Sequence, residues 1–248
     1  MKLHHCVFAS SLVATATLFA PATRAGIIIQ YGTEEVGSGP PTPTVTSVAA
    51  INPGPGVTGI DVTRGAGLTP VAASFAINSS GWNTLAANDF YQFGFTTTIP
   101  YSVSQLTVGL RSSATGPGFV DLLYSKDGGA FTSLTPPNPI ELIGTNVNNL
   151  DTSLAGIGVV HSSLIFELVV DPAHATNAQF NMDPTLPSAI GPSGTFRFAS
   201  FSPSANVFVD PAITGQAVPE PASLTLLAWG GLALVLGAKA SRRRASAA

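Results

Sequence analysis

Between Asp89 and Thr96 the side chains alternate: Tyr91, Phe93 and Phe95 point one way, Gln92, Gly94 and Thr96 the other. A period of two is that of a strand with one face against a core. The pattern returns at Leu106, Val108 and Leu110, at Val120, Leu122 and Tyr124, and at Leu164, Phe166, Leu168 and Val170. Gly26–Tyr31 reads as a first strand, and Phe196 and Phe198, followed by Val207 and Val209, are expected to end the domain. Lys126-Asp127-Gly128-Gly129 is a turn sequence expected to fold Phe131 back as a hairpin partner. Residues 34–59, rich in Gly, Pro, Ser and Thr, read as a loop or loose linker. No segment keeps a helical period. Short strands separated by Gly/Pro turns predict an all-β fold, an antiparallel β-sandwich or jelly roll.

Composition agrees with many turns and few surface helices, since charged residues are only 9% of the chain while it carries 25 glycines and 20 prolines. The 14 phenylalanines suffice for a core. Lys2, Arg24, Lys239, Arg242, Arg243 and Arg244 lie in the terminal segments, leaving Arg64, Arg111, Lys126 and Arg197 against nearly all the acids. The middle of the chain is therefore acidic, which argues against nucleic acid as a partner.

The two ends carry a different pattern. Lys2 precedes an apolar run from Val7 to Ala20 and small residues follow it, the layout of a secretory signal peptide. Thr23-Arg24-Ala25 and Ala20-Pro21-Ala22 both suit a signal peptidase; cleavage between Ala25 and Gly26 is the expectation. An N-terminal anchor is the alternative, but the run is short for spanning and ends at Pro21. Cleavage would remove Cys6, the single cysteine, so the mature chain has no disulfide. At the other end, residues 224–238 carry no charge and are followed by Lys239, Arg242, Arg243 and Arg244. That is a membrane-spanning pattern with its basic end in the cytoplasm, placing everything before it outside.

Val218-Pro219-Glu220-Pro221 stands directly before the apolar segment. Motif, apolar helix and basic tail in this order resemble the PEP-CTERM sorting signal. The resemblance implies an exosortase as partner, a membrane-embedded cysteine protease or transpeptidase of Gram-negative bacteria. Val218, Pro219, Glu220 and Pro221 are then a processing site, and Lys239, Arg242, Arg243 and Arg244 the stop-transfer cluster. Two prolines hold the motif extended and outside any helix or sheet. A second resemblance spans residues 67–215. It runs from Ser79-Ser80-Gly81-Trp82 through residues 89–95 and 103–119 to Gly194-Thr195-Phe196-Arg197-Phe198, and is similar to the β-domain of PEP-CTERM proteins, itself similar in style to jelly-roll carbohydrate-binding modules. Residues 150–161 depart from that pattern. The expected organisation is a signal peptide at 1–25, a strand and linker at 26–66, the β-domain at 67–215 and the sorting tail at 216–248.

Candidate chemistry within the domain is sparse. Gly54-Pro55-Gly56-Val57-Thr58-Gly59 matches a dinucleotide fingerprint in letters only, because it leads into a strand-like Ile60-Asp61-Val62-Thr63 instead of a helix. His161 and His174 are the imidazoles of the exported portion, with no nucleophile elbow or metalloprotease motif. Asp61, Asp121, Asp151 and Asp210 are scattered singly. The oxygens of Asn146-Val147-Asn148-Asn149-Leu150-Asp151 suit either a structural calcium ion or an Asn-rich turn. Trp82, Tyr91, Tyr101 and Tyr124 offer aromatic faces for sugar stacking. Core burial is expected of Tyr91 and Tyr124, and Trp82, beside Gly81, is the candidate ligand contact.

These readings give a non-enzymatic surface protein, delivered by the secretory pathway, held in the inner membrane by its C-terminal helix and sorted into the envelope or extracellular matrix. The alternatives are a carbohydrate-binding module for matrix polysaccharide and an exported hydrolase with an unrecognised site.

Overall fold

The computed structural model describes residues 25–37, 42–134, 139–142, 147–171, 176–177, 188–204 and 207–219. The expected signal peptide, except for Ala25, and the apolar C-terminal segment lie outside them. Among the described residues there are strands and three short 3-10 turns, and no helix is long and apolar enough to cross a membrane.

In chain order the strands are β1 (Gly26–Tyr31), β2 (Ser47–Val48), β3 (Ala50–Ile51), β4 (Val57–Arg64), β5 (Thr69–Val71), β6 (Ala76–Ser80) and β7 (Phe90–Thr97). Then come β8 (Tyr101–Ser112), β9 (Phe119–Lys126), β10 (Thr132–Ser133), β11 (Ile140–Glu141), β12 (Asn148–Ser153), β13 (Val159–Val160) and β14 (Ser163–Val170). The last are β15 (Thr176–Asn177), β16 (Ser188–Ala189), β17 (Phe196–Ala199), β18 (Phe201–Ser204), β19 (Val207–Val209) and β20 (Ala212–Ala217).

Two antiparallel sheets face each other in a sandwich-like arrangement. One runs β10-β9-β14-β7-β4-β2, with β11 also on β9. The other is organised on β8. Residues 101–107 of β8 pair with β20 and residues 109–112 with β17, while β13 and β12 follow one another along its opposite edge. Twelve residues give β8 the length to serve four neighbours.

The alternation seen in the sequence sets the core. Tyr91, Phe93, Phe95, Val120, Leu122, Leu164, Phe166 and Leu168 from one sheet meet Tyr31, Ile77, Leu106, Val108, Leu110, Phe196, Phe198 and Ile213 from the other, all fully buried. Each such side chain contributes roughly 1.5–3 kcal/mol by leaving water. The aromatic rings pack against one another: Tyr31 edge to face on Phe93 at 5.5 Å, Phe93 tilted on Phe198 at 5.0 Å, and Phe93 stacked on Phe166 at 5.4 Å.

The stretch read as a linker is part of this architecture. Ser47–Val48 joins β4 and, one residue later, Ala50–Ile51 joins β1, so a single passage of chain switches between the two sheets. Asp61 Oδ1 accepts from the Ala50 amide at 2.9 Å and holds the corner. The Gly54–Gly59 motif is a loop leading straight into β4.

The C-terminal end also differs from expectation. Val207 and Val209 are exposed, in a separate hairpin of β18 with β19. The closing strand is β20, whose residues 216 and 217 extend the ladder into the segment assigned to the tail. The turn at residues 126–129 forms as expected. Asp127 and Gly128 both have positive φ, 52° and 75°, and Gly129 N–H returns to Lys126 at 2.9 Å. Pairing begins at Thr132 opposite Tyr124, and Phe131 stays exposed.

Candidate functional site

Trp82 is the first correction. It opens a 3-10 turn between β6 and β7 and is fully buried. Its Nε1–H donates to the Ser79 carbonyl at 2.9 Å, and its ring meets Tyr91 at 5.2 Å and Phe196 at 5.3 Å. An indole with both faces packed has none left for a sugar, so Trp82 is a core residue. Tyr91 sits beside it. Its hydroxyl donates to the Phe196 carbonyl at 2.6 Å and accepts from Ser79 at 2.9 Å. Tyr101 is buried and donates to the Pro55 carbonyl at 2.8 Å, and Tyr124 is half-buried. Burial pushes the Tyr31 and Tyr91 phenols far above their ordinary value, so both remain neutral donors.

His161 is exposed next to Asp127, but only its backbone N–H reaches the carboxylate, at 2.8 Å. Asp127 also accepts from the Ser162 and Ser163 amides and from the Ser162 hydroxyl. The acid thus accepts the serine hydrogen bond directly, whereas a hydrolytic triad places the imidazole between them. Desolvation alone would raise the Asp127 carboxyl; these four donors outweigh it and hold it below the usual aspartate range. His174 lies outside the described residues.

The residues considered for calcium are spread along β12 instead of being gathered in a turn. Asn149 bonds with Ser202, Asp151 accepts from Gln105, and Asn148 donates to the Leu110 carbonyl at 3.5 Å. Asn146 lies outside the described residues, which contain no cluster of three or more His, Cys, Asp or Glu side chains. Among the other acids, Asp61 holds the sheet corner, Asp121 accepts from Ser133 at 2.7 Å, and Asp210 accepts from Thr33.

The termini of the domain come together. Gly26 of β1 is the register partner of Gly215 of β20. β20 continues to Ala217, the Val218 amide makes a last bond to the Pro100 carbonyl at 2.8 Å, and Pro219 is exposed. Pro219 has no N–H to continue the ladder. Ala25 is exposed at the same end. Glu220, Pro221, Lys239, Arg242, Arg243 and Arg244 lie outside the described residues.

One concave site went unread in the sequence. A cavity of about 470 Å³ opens on the outer side of the β8 sheet, floored by Arg111 and Arg197 and rimmed by Phe75 and Phe208, with Ser74 and Ser200 at its wall. The two arginines are direct cross-strand partners, Arg197 of β17 opposite Arg111 of β8. They face outward because their neighbours Leu110, Ser112, Phe196 and Phe198 face inward. Among the described residues no acid lines the cavity. Burial and then the neighbouring Arg111 push the Arg197 guanidinium down from its ordinary value, which still leaves it charged.

The Ser200 hydroxyl donates to Thr33 at 2.8 Å because the Thr33 hydroxyl is committed to the Asp210 carboxylate at 3.1 Å. The guanidiniums are therefore the strong donors of the site. Phe75 stacks on Phe208 with centroids 5.8 Å apart and planes at 15°. Its φ of 53° is in the left-handed region, a strain of about 1–3 kcal/mol for an aromatic residue. Bonds from the Phe75 amide to the Gly37 carbonyl and from the Ser200 amide to the Phe75 carbonyl, both 3.2 Å, hold it there. The sequence did contain a signal, namely two of only four internal cations at outward positions of predicted strands. Their adjacency needed the pairing of residue 111 with residue 197, which no local pattern encodes.

No family model matches the chain, and no curated protein or solved structure matches it.

Proposed function

We propose that this chain is an exported, non-enzymatic envelope protein, sorted through its Pro219-Glu220-Pro221 motif by an exosortase and serving a structural or adhesive role outside the cell. Its sandwich is read as a jelly roll on the strength of the resemblance in sequence. The observation that carries the proposal is the pairing of Gly26 with Gly215. A domain whose two membrane-directed segments leave from the same end can stand on a membrane with both junctions facing it. The exposed Pro219, directly after the last ladder bond, then presents the motif at that surface.

The test is replacement of Pro219-Glu220-Pro221 by Ala-Ala-Ala in a host carrying an exosortase. Export continues and C-terminal processing stops. Unchanged processing of the variant would refute the sorting role.

A further inference from the structure

We propose that the cavity over Arg111 and Arg197 is a binding site for an acidic saccharide, its carboxylate held between the two guanidiniums and its ring laid on Phe208. The site stands on its own geometry and does not depend on the sorting proposal.

The charge of the site selects an anion. Like charges directly opposite on neighbouring strands repel, and a fold kept for stability alone would place an acid or a neutral residue at one of the two positions. The described part of the protein is acidic, yet half of its four internal cations sit side by side here, and among the described residues no acid lines the cavity with them. Two planar guanidiniums are a forked donor set suited to a carboxylate or another oxyanion. With the Ser200 proton committed to Thr33, an anion entering the site finds its strong donors on the arginines.

The rim of the cavity is apolar. Phe208 is 42% exposed and is stacked on Phe75, which supports it from one side. A supported aromatic ring with a free face beside a cationic floor fits a ligand that joins a negative group to a ring with an apolar C–H face, as in a uronic acid unit. Thr42 and Ser74 also line the cavity and add polar residues to its wall. The volume of about 470 Å³ falls inside the range of roughly 300–1,000 Å³ typical of small-molecule sites. The strained Phe75 backbone belongs to the same wall.

The test is calorimetric titration of the full chain, purified in neutral detergent, with three probes: an oligogalacturonate, a neutral oligosaccharide of similar length, and inorganic sulfate. The oligogalacturonate binds, its affinity falling with added salt, and the neutral oligosaccharide does not. R111Q and R197Q each lower the affinity at least tenfold while melting at or above the wild-type temperature, because each removes the repulsion. F208A lowers the affinity for oligogalacturonate several-fold and leaves the response to sulfate unchanged. No binding of the oligogalacturonate, binding that survives R111Q and R197Q, or sulfate binding as tightly as the saccharide would each overturn the proposal.

Discussion

The hydroxyl of Tyr31, in the first strand, donates to the carbonyl of Gly94, in the middle of the opposite sheet, at 3.0 Å across the buried core. The bond ties the sixth residue of the proposed mature chain to the centre of the sandwich. Tyr31→Phe removes it with little change in volume. Unfolding in urea is expected to show a loss of about 1–2 kcal/mol with an unchanged denaturant slope. Gly94→Ala is more severe, since a Cβ there runs into the Leu164 carbonyl on β14.

Because residues 26–66 supply β1 and β4 to the two sheets, the boundary at residue 67 is not a place to cut. A fragment of residues 26–219 is expected to give a single cooperative thermal transition. A fragment of residues 67–219 lacks a neighbour for β20 and for β7 and shows no such transition.

Trp82→Ala empties a fully buried site between Tyr91 and Phe196, and a loss of about 3–5 kcal/mol is expected. Trp82→Phe costs less because most of the ring volume remains. Equilibrium denaturation of the two variants checks the order.

Asp127 offers a pH-dependent contribution whose sign follows from its partners. Its folded carboxyl titrates below the ordinary aspartate value of about 4. The unfolded chain therefore binds the proton first, and the stabilisation is complete above about pH 4 and fades as pH falls further. Asp127→Asn keeps a residue suited to the positive φ but removes the charge. The gap in melting temperature between wild type and D127N is expected to be constant from pH 7 to about 4.5 and to close towards pH 2.

Local pattern made the inner strands legible. Tyr91, Phe93 and Phe95, or Leu164, Phe166 and Leu168, declare their buried face through a period of two, and the turn at residues 126–129 through its glycines. β20 escaped because Ala-Ile-Thr-Gly-Gln-Ala alternates weakly; it is a strand by virtue of lying between β1 and β8. The reverse error occurred at Val207 and Val209, whose spacing matches a core strand while the chain holds them on the surface. Trp82 was misread for a related reason: a glycine neighbour suggested a loop, but the turn after Gly81 folds the indole inward. The basic cavity is a product of register between strands 86 residues apart, and register is the property that composition reveals least.

If, as proposed, one end of this chain is removed on export and the other on sorting, intact-mass spectrometry of the protein recovered from an exosortase-bearing host reads both cuts in one experiment. The predicted species begins at Gly26, lacks Arg242, Arg243 and Arg244, and is found outside the cytoplasm. A full-length product of residues 1–248 recovered from the cytosol would contradict the account.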